Sequence, residues 1–182
     1  MKKIALCNIE KLYAEINGLQ ELYLPVRKAG ATNFAKYEGG VEVDIKSLQT
    51  VKSAKDLFFP QSEDMIEFKV NGKNIEVKDA RKQSEPFVLF GVRGCDVKSL
   101  EVLDKVFLAE PVDSYYKTRR EHGVIVAMAC SKPTETCFCG TFGVDASAPA
   151  GDILCYKTAD AFYLEGQTEK VKALLAKLDG VT

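Results

Sequence analysis

Four of the six cysteines have the spacing of candidate metal ligands. They are Cys95, Cys130, Cys137 and Cys139, with 34, six and one residues between them. Thiolates are preferred ligands of both zinc and iron–sulfur clusters. The spacing matches neither a ferredoxin run nor a tandem C-x-x-C zinc ribbon, so both kinds of metal stay open. Four thiols in one part of the chain therefore predict a metal site, with an iron–sulfur cluster favoured over zinc.

Two predicted parallel strands precede the first two of these cysteines. Residues 86–92 (PFVLFGV) and 123–129 (GVIVAMA) are short apolar runs of strand type. Between them, residues 97–107 place apolar side chains at helical spacing. The order strand, helix, strand predicts a βαβ unit with a right-handed crossover and parallel strands.

The predicted βαβ unit brings the cysteines to one edge of the sheet. Cys95 and Cys130 each follow a strand, and the carboxyl ends of parallel strands meet at the edge where ligands bind in open α/β sheets. Residues 131–143 (SKPTETCFCGTFG), the cysteine loop, can carry Cys137 and Cys139 to the same edge. We therefore expect all four thiols at a single site.

Neighbouring residues are expected to tune such a site. Cys95 lies at a predicted helix N-terminus beside Arg93, and both features favour a thiolate. Asp96 is interpreted as a helix cap, with a role as an oxygen ligand as the alternative. Gly140 and Gly143 are expected to let backbone amides approach the sulfurs.

The remaining candidates for chemistry are weaker. Cys7 and Cys155 lie in predicted regular elements and are interpreted as core or near-core residues. His122, the single histidine, stands among charged residues and is expected to lie in a solvated turn rather than to act as a catalytic base. A thiol–disulfide enzyme using Cys137 and Cys139 is an alternative, although their one-residue spacing differs from the usual C-x-x-C motif.

The whole chain is predicted to be one α/β domain over residues 1–182, with α+β as the alternative. The expected core is a small mixed sheet with flanking helices and two hairpins. The βαβ unit and the loop with the four candidate ligand cysteines occupy residues 86–143, and a hairpin followed by a helix occupies residues 152–179. The other hairpin surrounds Asn71-Gly72, a pair that suits a type I′ turn.

The N-terminal third is predicted in less detail. Residues 3–17 have apolar side chains at helical spacing and predict a helix. Residues 22–27 (LYLPVR) read as extended, but Pro25 argues against a central strand. Residues 28–40 contain three glycines and are expected to form a loop with short extended pieces.

Composition excludes several classes of function. The formal net charge is −1, so no global basic field indicates nucleic-acid binding. The sequence contains no apolar stretch of transmembrane length and no export signal, which predicts a cytoplasmic protein. Clustered cysteines in that reducing compartment more often bind metal or do redox chemistry than form disulfides.

Four segments, in order, resemble one known family. They are residues 53–63 (SAKDLFFPQSE), 90–107 (FGVRGCDVKSLEVLDKVF), 113–121 (DSYYKTRRE) and 130–143 (CSKPTETCFCGTFG). They are similar to the iron–sulfur electron-transfer subunits of cytoplasmic sulfhydrogenase (β subunit) and anaerobic sulfite reductase (A subunit). In that family a proline usually stands where this chain has Gly94, a change expected to loosen the turn while keeping Cys95 and Asp96.

The resemblance implies a function as well as a metal. It implies a [4Fe–4S] cluster on the four cysteines and electron transfer with a flavin-containing or catalytic oxidoreductase subunit, in an anaerobic sulfite reductase or hydrogenase system. The family continues into a ferredoxin-like domain with two clusters, so this sequence is expected to be either a piece of a longer chain or a short relative. The chain alone is expected to turn over no substrate. The alternative is a zinc-stabilised scaffold or docking domain without a redox role.

Overall fold

The computed structural model describes residues 1–79, 81 and 85–178. The strands in these residues are β1 (Lys2–Ala5), β2 (Glu21–Lys28), β3 (Ala31–Lys36), β4 (Ile66–Asn71), β5 (Asn74–Asp79), β6 (Phe87–Arg93), β7 (Gly123–Met128), β8 (Ile153–Lys157) and β9 (Ala161–Gly166). Seven of them form one mixed sheet in the order β1-β9-β8-β7-β6-β2-β3, and β4 and β5 form a separate hairpin. The predicted α/β class is confirmed, with a larger sheet than expected.

Helices cover both faces of the sheet. The α-helices are α1 (Ile9–Leu19), α2 (Gly94–Phe107), α3 (Ser114–His122) and α4 (Lys172–Lys177). Short 3₁₀ turns lie at Leu6–Asn8, Ala54–Leu57, Cys139–Phe142 and Glu169–Val171. The helix expected near the C-terminus is therefore a 3₁₀ turn continued by α4, and position 179 lies outside the described residues.

The centre of the sheet contains the expected strand pair. β6 and β7 are parallel neighbours joined by α2 and α3, so the crossover carries two helices instead of one. β8 also runs parallel to β7, and β2 runs parallel to β6. Both predicted hairpins, β4–β5 and β8–β9, are confirmed. No helix in the described parts of the chain combines the length and apolar character needed to cross a membrane.

Two apolar cores, one on each face, hold these layers together. On one face Val88 and Phe90 of β6 pack with residues of α1 and α4. On the other face Phe87 and Leu89 pack with α2 and α3. This alternation follows from the period of two in a strand, and it makes β6 buried along its whole length.

A bulge at Gly91 reverses that alternation near the end of β6. Phe90 pairs with Val126, yet Val92 pairs with Ala127, so Gly91 is the extra residue. Gly91 has φ +95°, and a Cβ there would lie 2.7 Å from the side chain of Ile45. Only glycine fits this conformation and this close approach.

The first residues form a strand where a helix was predicted. β1 pairs antiparallel with β9, and Ile4 lies opposite Phe162 in this pair. The helix α1 begins only at Ile9. Ile4 is fully buried in this pairing. The prediction of a helix from residue 3 was wrong because pairing with a strand about 160 residues later overrode the local apolar period.

The inference from Pro25 was also wrong, because β2 lies inside the sheet. β2 pairs with β6 only over Glu21–Tyr23, so Pro25 lies beyond that ladder and needs no N–H there. Its carbonyl accepts a hydrogen bond from the amide of Asp44 at 2.7 Å. The following segment, predicted as a loop with short extended pieces, contains the strand β3, which pairs with β2.

Candidate metal centre

All four predicted ligand cysteines line one cavity of about 340 Å³, the cysteine cavity. It lies at the carboxyl ends of β6 and β7, the edge that the sequence predicted. Cys95 and Cys137 are exposed, and Cys130 and Cys139 are half-buried. The four thiols are free. The fold therefore brings together side chains that are up to 44 residues apart in the sequence.

Regular elements position Cys95 and Cys130. Cys95 is the second residue of α2, directly after β6, and Cys130 stands two residues after β7. The amide of Cys130 donates to the carbonyl of Ala146 at 2.8 Å, which fixes the chain as it leaves the sheet.

Gly94 lets a neighbouring loop approach this part of the site. A Cβ at Gly94 would lie 2.9 Å from Val144 and 3.0 Å from Pro149. Gly94 is the first residue of α2, a position that proline also suits. The lack of a side chain at Gly94 therefore lets Val144 and Pro149 pack closely against the start of α2.

Local hydrogen bonds position Cys137 and Cys139. The amide of Thr134 donates to Sγ of Cys137 at 3.2 Å, and the Thr134 hydroxyl lies 3.2 Å from the same sulfur. Cys139 begins the 3₁₀ turn Cys139–Phe142 and its carbonyl accepts from the amide of Val144. Thr136 in this loop accepts a 2.5 Å hydrogen bond from Gln49, which ties the loop to the segment after residue 45.

The guanidinium of Arg93 lies beside the thiols and is buried, with 7% of the residue exposed. Its Nη2 donates to the carbonyls of Ile45 and Ser47 at 2.8 and 2.9 Å. Nη1 lies 4.0 Å from Sγ of Cys130. Nε is buried without a hydrogen-bond partner. Among the residues that the structure describes, no carboxylate lies within ion-pair distance of Arg93.

The electrostatic settings of two cysteines differ. Partial burial of its thiol and the neighbouring charge of Asp96 raise the pKa of Cys95 above its usual value, although the residue is exposed overall. Hydrogen bonds from the side chain and backbone of Thr134 lower the pKa of Cys137. The helix N-terminus was expected to favour the Cys95 thiolate, and in this structure desolvation outweighs it.

Asp96 does not cap α2. Arg93 occupies the N-cap position and makes no side-chain cap, while Asp96 lies in the first turn. Burial raises the pKa of Asp96, against the opposing effects of Lys55, Ser53 and Arg93. Asp96 is also absent from the wall of the cysteine cavity, which gives no support to a role as an oxygen ligand.

Gly140 and Gly143 form part of a 3₁₀ turn and do not have the role expected of them, which was to let backbone amides approach the sulfurs. The amide of Gly143 donates to the carbonyls of Gly140 and Cys139 in the 3₁₀ turn, and Gly143 has φ +63°. Backbone amides of other residues contact the sulfurs: that of Thr134 at Cys137 and that of Asp96 at Cys95. No recognised motif in the sequence marks Thr134, so its contact with Cys137 was not predicted.

The remaining candidates lie away from the cavity. Cys155 is fully buried, as expected, and burial raises the pKa of its thiol to about 12. Cys7 is exposed in the short turn before α1, so its interpretation as a core or near-core residue was wrong. His122 ends α3 at the start of β7, and therefore at the opposite end of that strand from the cysteines.

The charge beside the cavity fits a bound group with net negative charge. Within the described residues, no three His, Cys, Asp or Glu side chains are close enough together to hold one metal ion. Tetrahedral zinc needs thiolates about 3.8 Å apart, given Zn–S bonds of about 2.3 Å. A cluster keeps thiolates further apart because irons and sulfides lie between them. The unpaired buried cation of Arg93 fits a group with net negative charge.

Comparison with known proteins identifies one similar chain. Over 160 residues, 84% of this chain, the sequence is 32% identical to sulfhydrogenase 2 subunit beta of Pyrococcus furiosus. The matched part spans 46% of that relative, so the chain covers about half its length. No protein-family model and no solved structure matches the chain. The similarity supports the expected relationship to sulfhydrogenase β subunits, and a relationship to the anaerobic sulfite reductase A subunit is left without support.

Proposed function

We propose that the chain is an iron–sulfur electron-transfer component of an oxidoreductase of the sulfhydrogenase type. Cys95, Cys130, Cys137 and Cys139 hold the cluster. Four thiolates can hold either [2Fe–2S] or [4Fe–4S], and we propose [4Fe–4S] because the family resemblance implies it. The observation that carries the proposal is the single cavity lined by all four thiols.

The residues around the cavity support a cluster in three ways. Arg93 supplies a buried positive charge next to Cys130, which offsets the negative charge of cluster and thiolates. Thr134 supplies an amide and a hydroxyl to Cys137, and hydrogen bonds to the sulfurs of a cluster affect its reduction potential. α2 and the end of β7 hold Cys95 and Cys130 on rigid elements.

The arrangement suits electron relay. A bound cluster would supply a site that takes up and releases one electron, and four protein thiolates leave it no open coordination position for substrate. Ser131 and Lys132 also line the cavity, while His122, the single histidine, lies at the opposite end of β7. The relative is named a subunit, so we propose that electrons pass to or from a partner subunit that carries flavin or a catalytic metal centre.

Anaerobic metal analysis tests the proposal. Protein purified without oxygen, then reconstituted with iron and sulfide, should contain about four irons and four sulfides per chain and show the absorption and magnetic resonance of a cluster. A parallel sample incubated with zinc instead of iron and sulfide tests the alternative, a zinc-stabilised scaffold, by its bound zinc content. Stoichiometric zinc with no cluster after iron–sulfide reconstitution would overturn the electron-transfer role and leave the scaffold role.

Turnover assays test the absence of catalysis. The cluster-loaded chain, given a strong artificial electron donor, should not sustain the reduction of sulfite or polysulfide. Addition of the partner subunit should then allow electrons to pass. Sustained turnover by the chain alone would make it an enzyme in its own right.

A further inference from the structure

A second cavity, of about 430 Å³, shares a wall with the cysteine cavity. The shared residues are Leu48, Arg93, Cys130, Ser131 and Lys132. The volume falls within the range of about 300–1,000 Å³ that is usual for small-molecule sites. None of the residues that establish the cluster proposal, other than Cys130 and Arg93, line it. We call it the basic cavity.

The basic cavity lies where the sheet is built to receive ligands. β6 ends at Arg93, β7 ends at Met128 and β8 ends at Lys157, and all three residues line the cavity. These three strands are parallel neighbours, so their carboxyl ends form one edge. Ligands of open α/β sheets bind outside this edge.

The charge of the lining is of one sign. Lys46, Arg93, Lys132 and Lys157 line the cavity, and no Asp or Glu does. In the whole chain, 25 basic residues are matched by 26 acidic ones, so this separation is local. Among the described residues, none of these four side chains has an ion-pair partner. A concave site lined by charges of one sign concentrates counter-ions.

Two of these four cations do not line the cysteine cavity, so offsetting the charge of its thiolates does not account for their positions. Arg93 contacts Cys130, and Lys132 lines both cavities. Lys46 and Lys157, however, line only the basic cavity. Ser131 and Tyr156 add hydroxyl groups that can donate hydrogen bonds to oxygen atoms, whereas the Ser147 hydroxyl already donates to Asp145.

We propose that the basic cavity binds an oxyanion, either a free inorganic ion or the phosphate group of a larger molecule, against the wall formed by Cys130. Charged donors and hydroxyls together suit the several oxygens of such a group. The site goes beyond the electron-transfer role and does not depend on it, since its binding is measurable without a cluster. With a cluster in place, the bound anion would lie beside it and lower its reduction potential, because nearby negative charge disfavours the uptake of an electron.

The test is calorimetric titration of the protein as purified, at low ionic strength, with three probes. Inorganic phosphate represents a free oxyanion, adenosine monophosphate represents a phosphate on a larger molecule, and adenosine is the uncharged control. We expect phosphate or the nucleotide to bind, adenosine not to bind, and affinity to fall with added salt. Much tighter binding of the nucleotide than of phosphate would assign the site to a phosphorylated molecule, and similar affinities would assign it to a free ion.

Matched variants locate the binding. The double variant Lys46→Gln/Lys157→Gln removes the two cations that are specific to the basic cavity and should weaken binding about tenfold, as expected for two largely solvated charges. Lys73→Gln changes an exposed lysine in the β4–β5 turn and should leave binding unchanged. The proposal is overturned if neither anion binds, if adenosine binds as tightly as its monophosphate, or if the double variant binds as tightly as Lys73→Gln.

Discussion

The two halves of the cysteine site are held in place by different forces. Cys95 and Cys130 follow β6 and β7, whose side chains are buried along the full length of both strands. Cys137 and Cys139 lie in the cysteine loop, where nearly every side chain is exposed. The first half is positioned by two apolar cores, and the second by a few hydrogen bonds within the loop and one from Gln49.

The contrast implies a division of roles. Packing fixes Cys95 and Cys130 whether or not a metal is present, because the cores do not depend on the thiols. The loop cysteines gain little from packing, so a bound cluster would stabilise their position more than the protein does. Loops supported by a rigid scaffold commonly carry function in this way.

The largest expected effect comes from the scaffold half. Phe90→Ala removes a fully buried ring that contacts Tyr13 and Phe162, with centroids 5.6 and 6.2 Å away. We expect a loss of about 3–5 kcal/mol of unfolding free energy. Phe138→Ala in the loop, where 63% of the side chain is exposed, should change it by less than about 0.5 kcal/mol. Urea unfolding followed by circular dichroism measures both, and equal losses would remove the distinction between the two halves.

The next effect concerns the metal and not the fold. Cys137→Ser and Cys139→Ser should each lower the iron content sharply after anaerobic reconstitution, while circular dichroism stays that of the unchanged protein. These residues are exposed or half-buried, so packing gives little reason for their thiols.

Two other cysteines provide the controls for that experiment. Cys7→Ser changes an exposed thiol away from the cavity and should retain both iron and stability. Cys155→Ser places a hydroxyl in the core and should lower stability by about 1–3 kcal/mol while iron is retained. Loss of iron from Cys155→Ser with the fold retained would show that the ligands were assigned wrongly.

A smaller effect is expected from Arg93, the charged residue beside Cys130 in the first half. Arg93→Met removes the charge beside Cys130 and the bonds to the carbonyls of Ile45 and Ser47. The cluster's midpoint potential should fall, because loss of positive charge disfavours the reduced form. Arg119→Met on α3, which breaks the ion pair of Arg119 with Glu63, is the comparison variant and should leave the potential unchanged. Redox titration followed by magnetic resonance decides between these outcomes.

The smallest effect is expected from Thr134. Thr134→Val removes the hydroxyl 3.2 Å from Sγ of Cys137 and keeps the amide that donates to the same sulfur. Iron should be lost to a chelator a few times faster than from the unchanged protein. Thr134→Ser keeps the hydroxyl and should release iron at the original rate, so a fast-releasing serine variant would assign the effect to packing.

Much of the framework was predictable from local pattern. The apolar runs at β6 and β7 and the Asn71-Gly72 turn carry their signals within a few residues. The shared edge of Cys95 and Cys130 follows from the parallel order of two strands, which a βαβ pattern determines. The interpretation of β1 as helix failed because Ile4 is buried by a partner strand that no local window contains.

Residue types and their order were enough to predict which chemistry is available: four thiols, two of them after parallel strands, and a loop long enough to bring the others near. The surroundings of those thiols depend on how distant segments pack in the folded chain. The bulge at Gly91 reverses the side-chain alternation of β6, so that Arg93 pairs with Met128 and meets the segment after Ile45. The burial of the Arg93 guanidinium depends on contacts between distant segments, and so does the position of Lys46 and Lys157 in the wall of one cavity. The order of residues in the sequence carries no direct signal for either.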